Sequence, residues 1–166
     1  MRTYFLDTET TGLHPPEDAI VELAIVDEAG RPVVNTLLNP GRPIGFAASI
    51  HGITDAMVSR SPWFEDVWPE VKSLLSGQHV VIYNASFDRK FFPGRLGCAA
   101  QVSCAMRRFA PLYGERSPGF KSYRWQKLIK AAEHIGYRWE GKAHRALADA
   151  MAARAVWRWM ESRAAA

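Results

Sequence analysis

The sequence predicts an α/β fold on a sheet of mixed strand direction, and three features carry that expectation. The first forty residues read as three strands separated by turns, the middle alternates short apolar strands with helical segments, and the end is an alanine-rich helix. Strands that first meander and then alternate with helices join an antiparallel edge to strand-helix units.

Taken in order, Thr3 to Glu9 reads as a buried strand and Ala19 to Val26 as a second. Asp27-Glu28-Ala29-Gly30 is turn chemistry before a third, Arg31 to Asn39. Pro40, Gly41, Pro43 and Gly45 mark a loop reaching Ser49 to Thr54. Ser61 has the character of an N-cap with Pro62 at the first helical position, and Trp63 to Ser76 carries apolar residues near helical spacing. Pro69 is expected to kink or split that helix. His79 to Asn84 is a short apolar strand of the kind buried in a sheet centre, followed by a helix from about Ser86 to Leu96. Val102 to Tyr113 reads as a strand leading into a helix, and Gly114 to Arg124 as a loop interleaving cations with aromatics, Phe120, Lys121 and Tyr123 among them. Helices are expected over Gln126 to Ile135 and from about Arg145 to Ser162, where the alanines permit close packing. No repeat or linker divides the chain, so residues 1–166 are expected to form one domain.

Composition narrows the function. Hydrophobic residues make up 48% and charged residues 23%, as in a globular protein. No apolar run approaches the roughly 20 residues of a membrane span, and the N-terminus lacks a signal-peptide layout, so no membrane partner and a cytoplasmic location are expected. Cys98 and Cys104 are in no zinc-like spacing and read as reduced structural thiols. Charge is divided unevenly. Residues 1–83 hold 5 Lys+Arg against 11 Asp+Glu, a net of −6, while residues 84–166 hold 16 against 6, a net of +10. An acidic half that can hold cations and a basic half that can hold phosphates suit a metal-dependent enzyme acting on nucleic acid.

The chemistry gathers at Asp7 and Glu9. Side chains two apart on a strand leave the same face, so these carboxylates enter one space and repel unless a cation separates them. Thr10, Thr11 and Gly12 then turn the chain, presenting backbone N–H groups to an anion. Two further carboxylates are placed for chemistry: Asp88, opening a helix after the central strand, and Asp149, one turn into the last helix. His14, His79 and His134 show no partner spacing and read as surface or packed residues. Trp125, beside cations and rings, is the tryptophan suited to stacking on unpaired bases.

Together, Asp7-Thr8-Glu9-Thr10-Thr11-Gly12, Asn84-Ala85-Ser86-Phe87-Asp88 and His144-Arg145-Ala146-Leu147-Ala148-Asp149 resemble the three motifs of the DnaQ-like exonucleases in their histidine-bearing, DEDDh form. Ile50-His51-Gly52-Ile53-Thr54 matches a family loop, and the resemblance covers Arg2 to about Trp159. It implies a ribonuclease H-like, mixed five-stranded sheet flanked by helices. It further implies a metal-dependent 3′–5′ exonuclease releasing nucleoside 5′-monophosphates, acting on single-stranded or frayed DNA 3′ ends. An RNA 3′-end trimming enzyme of the same family is the nearest alternative. A proofreading-type subunit docked on a polymerase, or on a replication, repair or spacer-acquisition complex, is another, and a homodimer is compatible with the family.

By the same resemblance, Asp7, Glu9, Asp88 and Asp149 hold two Mg²⁺ ions, for which Mn²⁺ can substitute, and His144 is the general base. An imidazole titrating near 6.5 suits that role. Five positions separate His144 from Asp149, about 140° around a helix, so His144 is expected just before the last helix. Thr10, Thr11, Gly12 and Leu13 should grip the terminal nucleotide, with Ile50, His51, Ile53, Asn84 and Phe87 bordering it.

Overall fold

The computed structural model describes residues 1–118 and 122–164. Five strands form one sheet in the order β3-β2-β1-β4-β5. They are β1 (Thr3–Thr10), β2 (Ile20–Asp27), β3 (Pro32–Leu37), β4 (His79–Ile82) and β5 (Gln101–Cys104). The first three pair antiparallel, and β4 and β5 continue the sheet parallel to β1, as the expected mixed sheet requires.

Period-two alternation then sorts β1 between two cores. Tyr4 and Leu6 join Leu23, Ile25, Val80 and Ile82 beneath α3 (Phe64–Leu75), whose Trp68, Val71 and Leu75 complete that layer. Phe5 joins Ala24, Val26, Val81 and Phe109 on the opposite face, beneath α5 (Ala105–Tyr113), α6 (Leu128–His134) and α7 (Ala146–Ala164). Continuing the alternation past Phe5 puts Asp7 and Glu9 on the α7 face and Thr8 on the other. Ala146, Ala150 and Ala153 are fully buried where α7 crosses β1 and β2, and small side chains there let the helix lie close to the strands.

Several boundaries differ from the sequence reading. The loop after β3 contains a 3-10 turn (Gly45–Ala47) and the short helices α1 (Ala48–His51) and α2 (Asp55–Val58), which bury Ile44, Ile53 and Val58 against Val21. Ser61 does not cap α3. Trp63 is the N-cap, and its N–H donates to the Asp66 carboxylate at 2.9 Å. Nor does Pro69 split α3, because one missing helical hydrogen bond is offset by the buried face on either side of it. The helix expected over Ser86 to Leu96 is instead the single turn α4 (Ala85–Asp88) followed by 3-10 turns at Arg89–Phe91 and Arg95–Cys98. Pro93, and Gly94 with φ 70°, prevent a continuous helix there. The expected Phe120 and Lys121 lie outside the described residues. His79 hydrogen-bonds Ser103, and His134 packs against Phe109, Tyr113 and Trp159, both structural settings. Cys98 and Cys104 are free thiols, and no helix among the described residues is long and apolar enough to cross a membrane.

Candidate active site

Beyond the C-terminal ends of β1 and β4, one cleft of about 440 Å³ is lined by residues from all three acidic motifs: Asp7 and Glu9, Asn84, Phe87 and Asp88, and His144 and Asp149. Asp7, Glu9 and Asp149 come closest, each offering a carboxylate oxygen within 4.8 Å of the others. The strand alternation explains this meeting. Asp7 and Glu9 face α7, and Asp149 lies in its first turn.

Asp88 approaches from the other side. It is buried, and one of its oxygens accepts the Thr8 hydroxyl at 2.8 Å. The alternation that sends Asp7 and Glu9 one way thus supplies Asp88 with its donor from the residue between them.

These carboxylates are costly to ionise together. Burial foremost, then Asp88, Asp149, Glu9 and Glu22, hold Asp7 well above the usual carboxylate range. Glu9 is pushed up to about 8 by burial, Asp149, Glu22 and Asp88, against an opposing effect of Arg145. Asp88 is pushed up to about 7 chiefly by burial, although the Thr8 hydroxyl works the other way. Burial likewise raises Asp149 to about 6, moderated by the hydrogen bond from the His144 N–H. A dense set of hard oxygen donors that no ion pair among the described residues neutralises fits a divalent cation.

His144 is held from behind. It lies two residues before the start of α7 with φ 61°, a conformation uncommon outside glycine, and its N–H donates to Asp149 at 3.1 Å. The next residue, Arg145, grips Glu22 through its Nε and terminal nitrogen at 2.6 to 3.1 Å. Glu22 also accepts the Ala146 N–H at 2.9 Å, which caps α7. Glu22 is only 3% exposed and lies directly opposite Glu9 in the β1–β2 register. The sequence reading gave no role to Glu22 or Arg145. The available signal was a single charge inside the apolar run Ile20 to Val26, which burial obliges to find a partner.

The loop after β1 is organised by Asp18, also missed. Its carboxylate accepts the Thr11 hydroxyl and the His14 N–H, both at 2.9 Å, and these backbone and side-chain donors hold it below the usual range. A Cβ on Gly12 would fall 2.4 Å from an Asp18 oxygen, so a larger residue there would displace the Asp18 carboxylate from its place. The Thr10 hydroxyl donates to the Gly12 carbonyl, and Leu13 projects outward, 61% exposed.

The remaining expected contacts divide by burial. Ile50 is exposed, and Phe87 lines the cleft while leaning on Phe91. His51 and Ile53 are interior: the His51 Nδ1 accepts the Ile53 N–H at 3.0 Å, and Ile53 is fully buried. In this arrangement both support the α1 loop from beneath, because a fully covered side chain has no face to offer a nucleotide. Tyr83, Met106, Lys127, Leu128 and Ile129 complete the cleft. Tyr83 follows β4 directly, beside the expected Asn84, while Met106 comes from α5 and Lys127 to Ile129 from the start of α6, two segments to which the sequence reading assigned no part in the site.

Comparison with known proteins finds similarity to exonucleases. The RNase_T family model, described as exonuclease, matches residues 4–157. The chain is 43% identical over 159 residues to the uncharacterized exonuclease CP81 of Escherichia phage 186, covering 87% of this chain and 80% of that protein. It is 38% identical over 128 residues to exodeoxyribonuclease 10 of Escherichia coli K12, covering 74% of this chain and 54% of that one, about half its length. Among solved structures, exonuclease X in complex with 5′ overhanging duplex DNA aligns over 99% of this chain and 93% of that chain, with a TM-score of 0.75 and 31% identity.

Proposed function

The chain belongs to the exonuclease family whose model spans residues 4–157, and from that premise we propose that it removes nucleotides from the 3′ ends of DNA, releasing nucleoside 5′-monophosphates. The observation that carries the proposal is the trio Asp7, Glu9 and Asp149, with oxygens within 4.8 Å, in one cleft with Asp88 and His144. The choice of DNA is supported by the DNA-directed names of the relatives matched at 38% and 31% identity. In this reading residues 1–166 act as one catalytic domain.

Asp7, Glu9 and Asp149 would hold one divalent cation and Asp7 with Asp88 a second. Mg²⁺ is the proposed ion and Mn²⁺ a substitute, since every donor is a hard oxygen. When bound, such cations supply Lewis-acid polarisation of the phosphate and stabilise charge on the attacking and leaving oxygens. The protein's own residues do the rest. His144 takes a proton from the attacking water as its oxygen bonds to phosphorus. The bond from phosphorus to the 3′ oxygen breaks, and that oxygen takes a proton from solvent and leaves as the new 3′ hydroxyl. The Glu22–Arg145 clamp keeps the imidazole at the cleft, while Phe87, Leu128 and Ile129 offer apolar surface to the terminal sugar and base.

A gel assay tests the proposal with 5′-labelled single-stranded DNA and RNA of one sequence, in Mg²⁺, Mn²⁺ or EDTA, beside Asp7→Ala and His144→Ala. Expected is a metal-dependent ladder shortening from the 3′ end, strongest on DNA and abolished by both substitutions. An intact protein that leaves both polymers whole in either metal would refute it.

A further inference from the structure

The cleft that carries four carboxylates must accept a strand that is itself anionic, yet among the described residues lining it there is a single lysine or arginine, Lys127. Three observations single it out. First, it lines the cleft at the N-cap of α6, with extended backbone angles. Second, no ion pair among the described residues engages it, whereas Arg124 and Lys130 on either side are both paired with Glu115. Third, the fold fixes the chain immediately before it. The buried Tyr83 hydroxyl at the end of β4 donates to the Gln126 carbonyl at 2.8 Å, and the buried Gln126 amide donates to Glu115 at 3.0 Å. Two buried side chains and an acid thus anchor Gln126 against the sheet, and the next residue lines the catalytic cleft with an ammonium that no ion pair among the described residues engages.

We propose that Lys127 is a substrate-binding residue whose ammonium contacts a phosphate of the strand in this cleft. The inference rests on the exonuclease reading of the site. A lysine suits this place because its strongly hydrated point charge on a flexible stem can follow a phosphate as the strand advances by one nucleotide. Arg145, beside His144, and Arg124, three residues before Lys127, are committed to Glu22 and Glu115. The neighbouring Leu128 and Ile129 give this wall an apolar surface beside the charge. The wall therefore matches the two faces of a nucleotide, phosphate and base.

The test measures binding apart from turnover. Fluorescence anisotropy of a labelled oligothymidylate in EDTA, at a series of KCl concentrations, is compared for the unaltered protein, Lys127→Ala and Lys127→Arg. Thermal unfolding checks that all three fold. Lys127→Ala should bind about tenfold more weakly, the loss of one charge-assisted contact. Its slope of log affinity against log salt should be shallower by about 0.7, the value for one phosphate on a single strand. Lys127→Arg should restore most of both. In Mg²⁺, the alanine variant should show a raised KM with kcat little changed. Equal affinity and salt slope in Lys127→Ala would overturn the proposal while leaving the exonuclease reading intact. A binding defect in a protein that degrades nothing in any metal would remove that reading and keep the phosphate contact.

Discussion

Replacing Glu22 by glutamine tests whether the residues behind the site hold its base in place. In the structure the two Glu22 oxygens receive four contacts: Arg145 Nε reaches both at 3.0 and 3.1 Å, its terminal nitrogen one at 2.6 Å, and the Ala146 N–H the other at 2.9 Å. Glutamine has the same shape with one oxygen. Whichever way its amide turns, a donor faces a donor, either the guanidinium or the α7 cap. Losing charge-assisted bonds at a carboxylate 3% exposed should cost about 2 to 3 kcal/mol, less than breaking a wholly buried pair because Arg145 is itself partly solvated. For a chain of this length that corresponds to a fall in Tm of roughly 4 to 12 °C. His144 adjoins the loosened cap, so kcat on single-stranded DNA should fall at least about tenfold with a smaller change in KM. Thermal unfolding followed by circular dichroism, and initial rates on a labelled oligomer, read both effects. An unchanged Tm together with an unchanged kcat would refute the reasoning, since it would mean that the clamp neither stabilises α7 nor positions the base.

The remaining predictions concern pH, loop closure and the core. Because Glu9, Asp88 and Asp149 titrate near 8, 7 and 6 when folded, the folded metal-free protein binds more protons than the unfolded chain once pH exceeds the ordinary carboxylate range. Its stability should therefore decline as pH climbs from about 4.5 to above about 8, and added Mg²⁺ should raise Tm more at the alkaline end than at the acid end. Scanning fluorimetry with EDTA or Mg²⁺ across that interval checks the sign, and a Tm equally responsive to metal at both ends would contradict it. Gly12→Ala places a methyl carbon against the Asp18 carboxylate, which must shift away from its Thr11 and His14 partners, at a cost of roughly 1 to 3 kcal/mol and with a raised KM measurable in the same rate assay. Phe109→Ala removes a fully buried ring packed on Tyr113, His134 and Trp159. Urea denaturation should show a loss of about 3 to 5 kcal/mol with the slope unchanged.

The site was legible in the sequence as far as local rules reach. Alternation along Phe5, Leu6, Asp7, Thr8 and Glu9 is enough to place two carboxylates on one face, and helix geometry is enough to remove His144 from the body of α7. The three acidic motifs could also be recognised from their order and spacing. Turn chemistry was less legible. Pro93-Gly94 broke a helix that the apolar pattern favoured, and α1 formed in a stretch whose prolines and glycines read as loop.

What the sequence determined by itself was which side of its own element each residue occupies, because that follows from the period of a strand or a helix. Which residues then face one another was decided by tertiary packing. Glu22 and Arg145 are 123 positions apart, and no local rule couples them. They meet because α7 crosses β2, and the buried Glu22 carboxylate takes the partly exposed Arg145 as its partner. The same holds for Thr8 with Asp88, for Tyr83 with Gln126, and for the covering of His51 and Ile53 by the α1 loop. A side chain's direction is a local property, whereas its partner depends on how distant elements pack, and in this protein that packing turns four acidic residues and a histidine into one cleft.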